Sequence, residues 1–253
     1  MKNMKYNLSQ NFNFIRWAIL IVVVSFVAVV SVAKYIQIAD LTAITYTALE
    51  NLYLIMNDPT NMTYIYLPLY LFLTCGVMFD DNFGGIEIVK CGSRKNWLFQ
   101  KILTLLFLTI LFFIMTVGIN FYITYQAFPY SQNWSSDFIK MQVLAGQDVQ
   151  NFVYSPSLVL GLSIFSLFLV YFMIGILSIL ISLCRDDEAQ TLFITLPIGV
   201  LVSLAITYFG AMYNKSLELY IYQNIILVFL VTLITLLSFW KVENKDFVLN
   251  KKV

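Results

Sequence analysis

The sequence predicts an all-α fold, a polytopic membrane bundle in one continuous domain over residues 1–253. Three observations predict it. Hydrophobic residues make up 60% of the chain and charged residues only 11%, with a mean hydropathy of +0.81, where a soluble domain carries roughly 25% charged residues. The uncharged residues fall into long runs, and a run of about 20 apolar residues crosses the roughly 30 Å of bilayer hydrocarbon. Six such runs can be drawn, with no internal repeat and no low-complexity linker between them.

The first expected span, 17–34, follows Arg16 and reads as a retained helix, since nothing after it resembles a cleavage site. The second, 62–79, ends on Asp80-Asp81 and contains Pro68, which a membrane helix tolerates when neighbouring groups satisfy the freed carbonyl. The third is 102–125, after Lys101, and the fourth is 156–183, before Arg185. The fifth, 192–213, has Pro197 near its start, and the sixth, 219–240, runs from Glu218 to Trp240 at an interface. Residues 35–61 are apolar but interrupted by Asp40, Glu50 and Asp58, which suits an external amphipathic or re-entrant segment. Residues 126–155 form a second long external connection.

Lys and Arg collect on the cytoplasmic side of a membrane protein. With both termini inside, only Lys34, Lys140 and Lys215 of the fifteen Lys and Arg lie outside. An N-in, C-in, multi-pass protein of the cell membrane is the expectation. Cys75, Cys91 and Cys184 then lie in or near the cytoplasmic half as reduced thiols.

Composition also removes whole classes of chemistry. The chain has no histidine, which excludes His-ligated haem, HExxH zinc sites and Ser-His-Asp triads. A net charge of +1 gives no electrostatic footprint for nucleic acid. No GxxxxGK[ST] motif occurs, so the chain cannot hydrolyse ATP as a P-loop enzyme by itself. Asp186, Asp187 and Glu188 stand in consecutive positions, which converge poorly on a divalent metal, and a solvated turn is the plainer reading. No intramembrane ionisable group marks an ion pathway, and neither a metal nor a cofactor is expected on this chain.

Two patterns remain. The connection 80–100 mixes charges with Phe83, Ile86, Val89 and Trp97, as a short helix lying at the membrane surface would. A positive-inside anchor with glycine turns is the bland alternative. In the fifth span Thr191, Thr195, Gly199, Ser203, Thr207 and Ala211 recur every fourth residue. Such a stripe of small side chains lets another helix approach closely, and a polar translocation wall is its functional alternative.

The order of these features resembles the membrane subunit of a bacterial ABC-2 type exporter, with six helices, both ends inside and a cytoplasmic coupling segment between the second and third helices. The local match is an acidic residue in a Gly-containing segment, then Gly92-Ser93-Arg94, then a basic start to the third helix at Lys101. The resemblance implies that Glu87 is the coupling acid, that Glu87, Arg94 and Lys95 dock an ATPase, and that Phe83, Ile86 and Trp97 are apolar anchors. It implies two cytosolic P-loop ATPase subunits carrying ATP and Mg, and a second membrane subunit, identical or homologous. A composition rich in Lys, Asn, Ile and Phe is similar to that of low-GC Gram-positive chains, whose small exporters move antimicrobial or other amphipathic peptides. A membrane immunity or sensory protein that binds a peptide without pumping it is the alternative expectation. A membrane enzyme acting on lipid is the third, disfavoured by the lack of His and of facing carboxylates.

Overall fold

The computed structural model describes residues 13–78, 91–144, 152–184, 188–212 and 217–244. These residues make a polytopic, almost wholly α-helical membrane protein with eight α-helices and one π-helical segment. Helix α1 is Phe14–Thr42, and Asn13 starts it by accepting the Ile15 amide at 3.0 Å. Its buried residues Trp17, Leu20, Val24, Val27, Ala28 and Ser31 recur every three or four positions, which is one face of a helix. Ile19, Val22, Phe26 and Val30 face outward, as they can when lipid is the solvent.

Ala43 at φ 54 ends α1, and the chain folds back into the short helix α2, Ala48–Met56. Thr47 and Glu50 form a reciprocal capping box at its start, and nearly the whole of α2 is buried. Residues 35–61 are thus divided between the end of α1, helix α2 and the turn into a π-helical segment, Thr60–Tyr66. That segment leads into α3, Leu67–Met78. Pro68 accounts for the widened turn, because it lacks an N–H and its ring crowds the carbonyl one turn back. The C-cap amide of Leu67 reaches back to Met62 O, and Tyr171 Oη donates to the same carbonyl at 2.6 Å.

Helix α4, Arg94–Ala127, is followed by α5, Ser136–Leu144, and α6, Pro156–Cys184. Helix α7, Glu188–Met212, and α8, Leu217–Asn244, complete the bundle. Among the described residues, four helices are long and apolar enough to cross a membrane: α1, α4, α6 and the Tyr220–Asn244 part of α8. This corrects the six transmembrane helices expected from an ABC-2 exporter-like fold. The expected spans 62–79 and 192–213 account for the difference. Over the first the described helix is π-helical at Thr60–Tyr66 and α-helical at Leu67–Met78. In the second, the apolar part of α7 among the described side chains is Gln190–Ile206, with Pro197 inside it, while the helix itself runs Glu188–Met212. The termini on which the N-in, C-in expectation rests, 1–12 and 245–253, lie outside the described residues.

Helix α6 is the centre of the bundle. Of its apolar stretch 61% is buried, against 17% for α8, which lies along it with most of its surface outward. At Gly175 the neighbouring chains come so close that an added Cβ would lie 2.5 Å from Tyr70 Oη and 2.9 Å from Leu105 Cδ2. Tyr70, Phe112, Phe113 and Tyr171 interlock there at centroid distances of 5.3 to 5.7 Å. Several polar side chains of the interior pair across helices. Thr63 meets Ser203 at 2.8 Å, Tyr70 meets Thr109 at 2.9 Å, and Asn120 Nδ2 donates to Tyr66 Oη at 3.2 Å. In a medium without water these pairs keep hydroxyls and amides satisfied.

Candidate functional site

The bundle has two distinct ends. The basic end carries Arg16, Arg94, Lys95, Lys101 and Lys241, at the start of α1, the start of α4 and the close of α8. The opposite end is covered by α2, α5 and the segments between them, and is called the cap.

At the basic end the chain enters α4 through Gly92 at φ +74, a conformation that favours glycine. Ser93 then caps the helix, its Oγ accepting the Asn96 amide at 3.2 Å. Arg94 Nη1 donates to the Glu243 carbonyl at 3.1 Å, and Lys95 Nζ lies 2.6 Å from Glu243 Oε1. The start of α4 is thereby tied to the last turn of α8. Trp97 is buried, with Lys101 Nζ 4.6 Å from its ring centroid. Of the six expected docking residues, Arg94, Lys95 and Trp97 therefore meet in one turn of helix. Phe83, Ile86 and Glu87 lie outside the described residues.

The small-residue stripe of α7 lies against α6 and the π segment with α3. Thr195 Oγ1 donates to Thr191 O at 2.7 Å and sits 3.3 Å from Ser178 Oγ, and Ser203 pairs with Thr63. A Cβ on Gly199 would stand 3.2 Å from Ile174 Cγ2 and 3.3 Å from Leu67 Cδ2. The side chains of Thr207 and Ala211 lie outside the described residues.

The cap is organised by a carboxylate. Glu50 has no exposed surface. Its Oε2 accepts from the Thr47 amide at 2.7 Å and lies 3.1 Å from Ser135 Oγ, while Oε1 accepts the Ser135 amide. Ser135 Oγ in turn accepts the Phe138 amide at 3.2 Å and starts α5. Above this knot Trp134 stacks on Phe138 at 5.2 Å, with Tyr53 and Phe152 meeting its edges or face at 5.9 and 5.4 Å. Burial, and then the Glu50 carboxylate, push the Tyr46 phenol up.

No protein-family model matches this chain, nor does any curated protein or any solved structure. What the arrangement can do must be read from its own residues.

Among the described residues no group of three or more His, Cys, Asp or Glu could hold a metal. Asp186 and Asp187 lie outside them, as does the side chain of Glu188. The role of Glu50 has a local signal in the sequence, since Thr47-Ala48-Leu49-Glu50 carries the [ST]xx[DE] pattern of a helix start. What that signal could not show is that the same carboxylate also holds Ser135, 85 positions away.

Proposed function

We propose that this chain is the membrane-spanning subunit of an ATP-driven exporter, moving an amphipathic or antimicrobial peptide out of a Gram-positive cell. In this reading it does no covalent chemistry, and ATP and Mg sit on separate P-loop ATPase subunits that dock under 80–100. The basic end then faces the cytoplasm and the cap faces outward. A second membrane subunit, identical or homologous, completes the path, as the resemblance to ABC-2 permeases implies for the coupling connection, though not for the number of spans.

The observation that carries the reading is the course of α4. This helix has 34 residues, about 51 Å of rigid rod at 1.5 Å per residue. One end is the Gly92-Ser93 turn, gripped to α8 through Arg94 and Lys95. The other end continues to Pro129, whose carbonyl accepts the Ala48 amide of the cap at 2.9 Å. A push on the connection before Gly92 reaches both α8 and the cap through one continuous element. That is the mechanical requirement for coupling a cytosolic ATPase to an outer gate.

The test is purification of the tagged chain from its own membrane in mild detergent, with the stoichiometry of every co-purifying chain. A P-loop ATPase that is recovered with the wild type and lost when residues 83–97 are replaced is the expected result. A stable complex without an ATPase would overturn it in favour of peptide binding without pumping. Within the exporter reading, Glu87→Ala is expected to leave membrane insertion intact and to uncouple ATP hydrolysis from export in vesicles.

A further inference from the structure

Where α2, the π segment, α6, α7 and α8 converge, a cavity leaves about 30 Å³ open to the centre of a water molecule. Met56 and Met62 are among its apolar walls, and Asn57, Ser163, Ser166, Tyr220 and Gln223 are its polar ones. The interior at Gly175, by contrast, has no room for a methyl group, since an added Cβ would lie 2.5 Å from Tyr70 Oη.

The polar walls are joined to one another and still have bonding positions to give. Asn57 Nδ2 donates to the Tyr53 carbonyl at 2.8 Å, and Asn57 Oδ1 accepts from Ser163 Oγ at 2.8 Å. The Tyr220 hydroxyl lies 3.3 Å from that of Tyr53. Ser166 Oγ has one proton for two acceptors, Asn224 Oδ1 at 2.8 Å and the Leu162 carbonyl at 3.0 Å. A hydroxyl oxygen has two lone pairs besides its proton, so Ser163 and Ser166 can both accept after they have donated. Three positions apart on α6, they share one face of the helix. Gln223, three positions after Tyr220 on α8, adds a carboxamide, which both donates and accepts. A cavity keeps a water when it offers about 10–15 Å³ or more to the water's centre and two to four polar partners, while apolar cavities stay dry. This one meets both conditions.

We propose that the cavity binds one or two ordered waters, which join the cap helix α2 to α6 and α8. Their partners are Ser163, Ser166, Tyr220 and Gln223. An ion is excluded, because no lining side chain is charged and an ion would give up its hydration for no opposite charge. Tyr53 carries the joint into the cap, since its ring meets Trp134 at 5.9 Å while its hydroxyl meets Tyr220. A bond through water is nearly as favourable as a direct one and is remade without repacking side chains. The inference does not depend on the transport reading.

The test is X-ray hydroxyl-radical footprinting of the purified full chain in phosphatidylcholine nanodiscs, with oxidised peptides mapped by mass spectrometry. A radical born from a bound water oxidises the side chains that touch it, however deeply they are buried. Met56 and Met62 line the cavity at 0% and 2% exposure, while Met173, 6% exposed on α6, does not line it. Met56 and Met62 are expected to be oxidised at least fivefold faster than Met173. In the dark, tert-butyl hydroperoxide is too large to enter the cavity and should leave all three unmodified over a time that oxidises free methionine. A radical ratio below fivefold would show a dry cavity, and peroxide oxidation of Met56 or Met62 would show that bulk solvent enters; either overturns the site. Both measurements use the wild-type chain and need no ATPase, so their outcome is separate from that of the exporter reading.

Discussion

At the cap, Glu50 has no exposed surface and its two oxygens serve Thr47 and Ser135. At the basic end, the Glu243 side chain is 48% exposed and meets Lys95, itself 59% exposed, at 2.6 Å. The chemistry is the same and the environment is opposite. A carboxylate taken out of water must have every lone pair answered, so its partners are fixed and their loss is costly. A carboxylate in water trades one partner for hydration at little cost. The cap is therefore held by a few obligatory contacts, whereas the Lys95–Glu243 contact at the basic end can be exchanged. An exchangeable grip is what a docking surface for another chain requires.

Glu50→Ala is the variant that bears hardest on this contrast. It leaves the Thr47 and Ser135 amides without acceptors, and the loss is expected to be about 3 kcal/mol. Denaturant unfolding in detergent measures it, with Trp134 fluorescence reporting on the cap. Glu50→Gln keeps one acceptor oxygen and should lose less. A midpoint for Glu50→Ala within error of wild type would show that the aromatic cluster, and not the carboxylate, holds the cap.

Between the two ends, Gly175→Ala asks whether the middle of the bundle is as tightly fixed as the cap. The new methyl would overlap Tyr70 Oη, which Thr109 holds at 2.9 Å, and Leu105. Overpacking of this kind is expected to cost about 2 kcal/mol. Gly199→Ala meets only side-chain ends at 3.2 and 3.3 Å and should change stability by less than about 1 kcal/mol. Equal effects at both glycines would mean that α7 is seated on its partners as closely as α3 and α4 are on α6.

Lys95→Ala should cost the isolated chain less than about 1 kcal/mol, and less still in high salt, because both partners are solvated. The comparison becomes sharper if the same variant weakens co-purification of an ATPase, for then the residue matters more to assembly than to folding. A stability loss as large as that of Glu50→Ala would erase the distinction between the ends.

Much of this was legible in the residues. The expected spans 102–125, 156–183 and 219–240 lie inside Arg94–Ala127, Pro156–Cys184 and Leu217–Asn244, because each run is long, apolar and uncharged. Span 62–79 misled because hydropathy is blind to register, and Pro68 widens the turn before it without altering how apolar the run is. The Gly92-Ser93 turn could be read as a helix start, but its grip on Glu243 could not, since 148 positions separate Lys95 from its partner. The same limit hid the pairing of Ser166 with Asn224. Contacts between helices depend on how each is rotated about its axis, and an apolar helix surrounded by lipid carries little polar periodicity to reveal that rotation.

The smallest effect expected lies at the edge of the cap. Tyr46 is buried, its hydroxyl donates to Met141 Sδ at 3.3 Å, and its phenol is pushed up by burial and by Glu50. The folded chain then keeps that proton to higher pH than the unfolded chain, which releases it near pH 10. Above about pH 10 the folded state holds more protons than the unfolded one, so stability falls as pH rises, while below it the contribution is constant. Tyr46→Phe removes this one term and should slightly flatten the alkaline fall, leaving the curve below pH 9 parallel to wild type. Curves that stay parallel through pH 11 would mean that water reaches Tyr46, and that the cap is open in solution on the side where Glu50 holds it.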